Sequence, residues 1–90
     1  MGAVAEAMRE KLIDALSPTR LEIVDDSARH AGHAGARDGG ESHFNVTIVC
    51  AVFAGIGRVQ RQRLVHDVLT EELAGPVHAL SLRLLAPDEA

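Results

Sequence analysis

Five histidines, one cysteine and several arginines are the side chains of this chain best suited to chemistry, and their spacing limits what that chemistry can be. His30 and His33 stand at i, i+3 within Ser27–Phe44, a stretch rich in Gly and Ala that also holds His43. His78 follows Gly75-Pro76-Val77 at the head of an alternating apolar run. Neutral imidazole is a common metal ligand, so His78 reads either as a ligand or as a histidine satisfied by a backbone carbonyl, and spacing alone favours the second. If the stretch folds over the start of the last strand, His30 and His33 could join His78 in a site of two or three histidines. A stand-alone zinc site typically takes three or four ligands, and the chain has neither a CxxC nor an HExxH motif. A site completed by another protein is therefore the more economical arrangement. His43, next to Phe44 at the start of a strand, reads as structural, and His66 as a surface residue of a helix.

Cys50 alternates with Ile48 and Val46 toward the core and reads as a small buried hydrophobe rather than a reactive thiolate. Arg58, Arg61 and Arg63 cluster after Gly55-Ile56-Gly57, where a glycine-rich turn and a basic helix end could hold a phosphate backbone; a solvated helix face is the plainer reading. The spacing Gly55-x-Gly57 lacks the third glycine of a dinucleotide fingerprint. No Ser/His/Asp or paired-carboxylate arrangement is present, so no catalytic activity is expected.

Composition narrows the choice further. The 90 residues suit one small domain, expected to span 1–90 with its core over about 4–84, a mobile loop over about 27–42 and a frayed tail over 86–90. Apolar residues make up 47% of the chain but only two are aromatic, Phe44 and Phe53, so the core must be aliphatic and base-stacking platforms are scarce. A net charge of −4 argues against a surface that is a general trap for nucleic acid. One cysteine excludes an intrachain disulfide. The apolar run from Val46 to Ile56 is too short to span a bilayer, and no signal-peptide order is present at the N-terminus, so a cytoplasmic location with no membrane association is expected.

The elements that must position these residues follow from periodicity. Val4, Met8, Leu12 and Leu16 recur at i+4 and predict an amphipathic helix ending near Leu16, before Ser17-Pro18. Leu21–Asp25 and Phe44–Ala51 read as strands, most simply antiparallel neighbours. Val65, Leu69 and Leu73 form the stripe of a long helix, with a short helical turn expected before it at Arg58–Arg61. Gly75-Pro76 stops that helix. Val77–Leu84 alternates as a third strand, with His78 on the apolar face beside Leu80, Leu82 and Leu84, and pairs in parallel with the second after a helical crossover. The order is α-β-β-α-α-β: an α+β fold with one three-stranded mixed sheet and helices on one face.

Several blocks, taken in this order, resemble the BolA family: Leu21-Glu22-Ile23-Val24-Asp25-Asp26-Ser27, Gly40-Glu41-Ser42-His43-Phe44, Phe53-Ala54-Gly55, Arg61-Gln62-Arg63-Leu64-Val65 and Glu72–Ser81 with its Val77-His78-Ala79-Leu80 core. The resemblance covers about Met8 to Leu84. The family usually has Arg-His-Arg where this chain has Arg61-Gln62-Arg63, and the loop is longer here. The resemblance implies a type II KH-like fold and a partner, a monothiol glutaredoxin of the CGFS type. It also implies a [2Fe-2S] cluster shared with that partner and its glutathione, with His78 as one ligand and His30, or His33 in its place, as the loop ligand. The isolated chain is expected to hold no cofactor and to be a monomer or weak homodimer. An alternative that the resemblance allows is a transcriptional regulator binding DNA through Arg58, Arg61 and Arg63.

Overall fold

The computed structural model describes residues 2–27 and 41–90. Helix α1 (Ala3–Leu16) buries Ala5, Met8, Leu12 and Leu16, the stripe its spacing demands. Ser17 ends it in the left-handed conformation (φ 46°), donating its N–H to the Ile13 carbonyl, and Pro18 prevents continuation. The other end of α1 is capped from far along the chain. Glu41 Oε2 accepts the N–H groups of Val4 (2.9 Å) and Ala5 (3.0 Å), a carboxylate at the positive end of the helix dipole. A Cβ on Gly2 would displace this carboxylate from its position.

Strands β1 (Arg20–Asp25) and β2 (His43–Val49) pair antiparallel, with Leu21 opposite Ile48 and Ile23 opposite Val46. Strand β3 (Ala79–Leu85) pairs in parallel with β2, setting Phe44 beside Leu80 and Val46 beside Leu82. The sheet order is β1-β2-β3, so β2 is central. Phe44, Val46, Ile48 and Cys50 point into the helix-covered core, against Met8, Leu12, Leu16, Phe53, Val65 and Leu69. Arg20, Glu22, Val24, Asn45, Ser81 and Arg83 stand exposed on strand positions alternating with those buried or half-buried ones. Within the strands the alternation derived from sequence is the alternation observed, and Cys50 beyond the end of β2 is fully buried.

Between β2 and the next helix lies a 3₁₀ turn, Ala51–Phe53, whose Phe53 is fully buried. Helix α2 (Arg58–Val68) then starts at Arg58 itself. The expected interruption near Arg58–Arg61 falls instead at Leu69 (φ −102°, ψ 22°), after which a short α3 runs over Thr70–Ala74. The cause is Thr70, whose Oγ1 donates back to the carbonyls of His66 and Asp67 and competes with the regular ladder. The element order α-β-β-α-α-β is unchanged. Lys11 on α1 reaches Glu72 on α3 at 2.7 Å. Glu72 is buried, and its Oε1 has no hydrogen-bond partner among the described residues.

The third strand begins two residues later than its alternation suggests. Val77 donates its N–H to the Glu72 carbonyl and so belongs to the turn that closes α3; its side chain is buried. His78 therefore does not lie on the apolar face but is exposed. The tail, expected to fray, contains a 3₁₀ turn over Pro87–Glu89. No helix among the described residues is long and apolar enough to cross a membrane.

Candidate functional site

His78 stands on a rim built from three segments. Its N–H donates to the Ser42 carbonyl (2.8 Å), which also receives the Ala79 N–H (3.2 Å). This contact sets the end of the Gly75-Pro76-Val77 turn against the start of β2. The parallel register puts His43 beside Ala79, and the rings of His43 and His78 lie nearly parallel (19°) with centroids 6.4 Å apart. Ser42 Oγ and His43 Nδ1 share a hydrogen bond of 2.8 Å, which holds the His43 ring in orientation.

Behind the two rings is a buried hydroxyl. Ser27 Oγ accepts the N–H groups of Ser42 (2.9 Å) and His43 (3.1 Å) and lies 3.3 Å from Ser42 Oγ. Ser27 is itself held by Asp25, whose Oδ1 accepts the Ser27 N–H and whose Oδ2 accepts the Glu41 N–H, both at 2.9 Å. Asp26 N–H donates to the His43 carbonyl (2.7 Å). Asp25 thus ties together the two ends of the segment that carries His30 and His33, beside His43 and His78. His30 and His33 themselves, and most of the loop expected over 27–42, lie outside the described residues.

The Asp25 carboxyl is pulled two ways. Partial burial pushes its pKa up, while hydrogen bonds from Ser27 and from the Glu41 N–H, and the nearby His43, pull it down; the net shift is downward. A folded pKa below the unfolded value means that the stabilisation is present above the ordinary aspartate range of about 4 and is lost as pH falls through the folded value. Urea denaturation is expected to show stability decreasing below about pH 4, with Asp25→Asn flattening that limb. An unaltered acid limb in the variant would remove Asp25 from the account.

The three arginines do not form one patch. Arg61 is drawn into the fold. Its Nε donates to the Ile56 carbonyl (2.9 Å) and its Nη1 to the Leu84 carbonyl (3.0 Å). Glu89 takes the same guanidinium in a forked pair (2.6 and 3.3 Å), and the Phe53 ring lies 5.8 Å away. Arg58 and Arg63 are exposed and stand about 140° apart around the helix axis. Cys50 is fully buried and unavailable as a ligand. Among the described residues no three His, Cys, Asp or Glu side chains are grouped to hold a metal ion.

Spacing alone missed the His43–His78 pair. It arises from the β2–β3 register, and the signal available was only that Ser42-His43 and Val77-His78 both precede strands. Structural buttressing by Ser42 agrees with the role expected for His43; its stacking on His78 was not foreseen.

The fold and this rim define a class: a small α+β protein of type II KH-like order, with a histidine-bearing rim where the β1–β2 connection meets the start of β3. The chain belongs to the BolA family, whose BolA-like protein model matches residues 12–89. It is 49% identical over 86 residues to BolA-like protein 1 of Mus musculus, covering 96% of this chain and 60% of that one. It is 43% identical over 79 residues to the DNA-binding transcriptional regulator BolA of Escherichia coli, covering 88% of this chain and 71% of the relative. Its fold matches that of the BolA domain of SufE1 from Arabidopsis thaliana with a TM-score of 0.89 at 41% identity, over 100% of this chain and 99% of that one. The chain therefore spans about three fifths of the mouse relative's length.

Proposed function

We propose that this chain is a non-enzymatic adaptor that co-ligates a [2Fe-2S] cluster held by a monothiol glutaredoxin of the CGFS type, acting in iron homeostasis or cluster trafficking. His78 is one ligand and His30 the other, with His33 as its alternative. The observation that carries this reading is the position of His78, exposed on a rim where both ends of the His30/His33 segment are pinned by Ser27, Asp25 and Glu41. His30 is three residues from Ser27, a reach of at most about 10 Å for an extended chain.

The donor set suits a shared site and not a self-sufficient one. The only thiol is buried, so the chain offers imidazoles while the partner's thiolate and a glutathione thiolate supply sulfur. Two imidazoles facing two thiolates resemble the Rieske ligand set, which lies at higher potential than an all-cysteine one. In that arrangement the rim's contribution is orientation: the Ser42 carbonyl fixes the backbone of His78, and His43 supports its ring.

The test is titration of this chain into cluster-loaded monothiol glutaredoxin, followed by visible absorption and circular dichroism. The wild type is expected to produce a spectrum distinct from that of the glutaredoxin alone. His78→Ala is expected to abolish that change. Comparison of His30→Ala with His33→Ala identifies the loop ligand. A His78→Ala spectrum identical to wild type overturns the assignment.

A second reading, a DNA-binding regulator, draws on the similarity to the Escherichia coli DNA-binding transcriptional regulator BolA. With Arg61 tied to Glu89 and to the Ile56 and Leu84 carbonyls, it rests here on Arg58 and Arg63.

A further inference from the structure

The outer edge of β3 is open along most of its length. In the β2–β3 ladder Ala79 donates its N–H to the Ser42 carbonyl and Leu85 accepts from Cys50 N–H, so the odd-numbered residues of β3 face β2. The backbone groups of Leu80, Leu82 and Leu84 then face outward. The Leu84 carbonyl confirms this direction, because Arg61 reaches it from α2. β3 is last in the strand order, and the outward groups of Leu80 and Leu82 have no partner among the described residues. An uncovered edge of this kind is a template for another extended chain.

Beside this edge runs an open groove of about 750 Å³ whose walls include Ile56, Gly57, Arg58, Gln62, Leu82 and Arg83. Arg58 and Arg83 are exposed and have no ion-pair partner among the described residues. At one end the groove already holds a carboxylate from the chain itself. Glu89 sits in the fork of Arg61 and accepts the Ala86 N–H at 2.7 Å. The pair with Arg61, with the Ala86 hydrogen bond, holds the Glu89 carboxyl below the usual glutamate range. That end of the groove is thus filled by the chain's own carboxylate, and the guanidinium groups of Arg58 and Arg83 farther along are unmatched among the described residues.

We propose that this groove docks an acidic segment of a partner protein in extended conformation, added to the sheet as a fourth strand along β3. Its backbone pairs with Leu80 and Leu82, and carboxylates on its two faces meet Arg58 on the helix side of the sheet and Arg83 on the open side. A single-stranded nucleic acid fits less well. Phe44 and Phe53 are both buried and no aromatic ring lines the groove, so bases find no stacking platform. The two-residue period of the free edge groups is that of a peptide. This inference does not rest on cluster binding, and its edge begins at Leu80, two residues beyond His78.

The test uses the full chain and a fluorescent peptide of repeated Glu-Glu-Thr-Thr, which presents Glu on both faces of an extended strand. Three comparison probes are the same peptide with Gln for Glu, a version N-methylated at alternate residues, and oligothymidylate. Saturable binding of the acidic peptide is expected, with slowed amide exchange at Leu80 and Leu82. The Gln and N-methylated peptides, and the Arg58→Glu/Arg83→Glu variant, are each expected to bind about tenfold more weakly or worse. Both replaced side chains are exposed and make no hydrogen bond within the described residues, so the variant's thermal unfolding should match wild type. The proposal is overturned by absence of saturable binding, by binding indifferent to the arginines, or by equal binding of the N-methylated peptide. Tighter, arginine-dependent binding of oligothymidylate would assign the groove to nucleic acid instead.

Discussion

Phe53→Ala is expected to destabilise the protein by about 3–5 kcal/mol, a large part of the 5–15 kcal/mol typical of a domain. Phe53 is fully buried in the 3₁₀ turn between β2 and α2 and is one of two aromatic side chains in the chain. Its ring fills volume that the surrounding aliphatic residues cannot reach without moving their backbones, so truncation leaves a cavity. The ring also lies under the guanidinium of Arg61 at 5.8 Å, a cation–π distance. Arg61 in turn joins the Ile56 and Leu84 carbonyls and Glu89, so loss of the ring loosens the contact that ties α2 to β3 and the C-terminal turn. Urea denaturation monitored by far-ultraviolet circular dichroism measures the effect. A loss below about 1 kcal/mol would mean that the site collapses around the missing ring and that the turn is not a core element.

Ser27→Ala removes one oxygen, yet is expected to cost roughly 2–4 kcal/mol. The Ser27 hydroxyl is buried and accepts two backbone N–H groups, from Ser42 and His43. Leaving a buried donor without an acceptor costs about 1–3 kcal/mol per group. The effect should be local as well as global. Amide exchange at Ser42 and His43 is expected to accelerate more than at Val46 or Ile48 within β2, because the two freed N–H groups stand at the head of that strand. Ser27→Thr keeps the oxygen and is the control for the added methyl. If Ser27→Ala leaves both stability and the two exchange rates unchanged, water replaces the hydroxyl and the latch between the loop's two ends is not Ser27.

The α1 stripe and the two-faced β2 are legible in the sequence because each depends on neighbours a few residues away, and the mixed sheet follows from the order of the elements and the helical crossover before β3. Met8, Leu12 and Leu16 declare a helix, and Phe44, Val46 and Ile48 declare a strand face. His78 shows where that reasoning stops. Strict alternation back from Leu80 assigns it to the core side, but the hydrogen bond from Val77 to the Glu72 carbonyl keeps the preceding residues in the helix-closing turn and leaves His78 exposed. Arg61 shows the same limit from the other side. As one of three arginines on a basic stretch it reads as surface, yet its acceptors, Ile56, Leu84 and Glu89, come from three separate segments that no local pattern links. The Glu41 cap on α1 is likewise contributed from far along the chain. Of the candidate ligands, His78 was identifiable by its place before the strand, and its neighbour His43 became visible only through register.

Both outer strands depend on β2, and each of their partners is distant in sequence: Leu21 pairs with Ile48, and Ile48 with Leu84. Contacts of that kind require the intervening chain to close before any energy is recovered, which slows folding relative to a helical bundle of the same size. The rim of Ser27, Ser42, His43 and His78 joins three such distant segments. Its hydrogen bonds lie at the margin of the sheet beside the exposed His78, so this corner is expected to open more often in the native ensemble than the buried centre of β2, a difference that amide exchange reads.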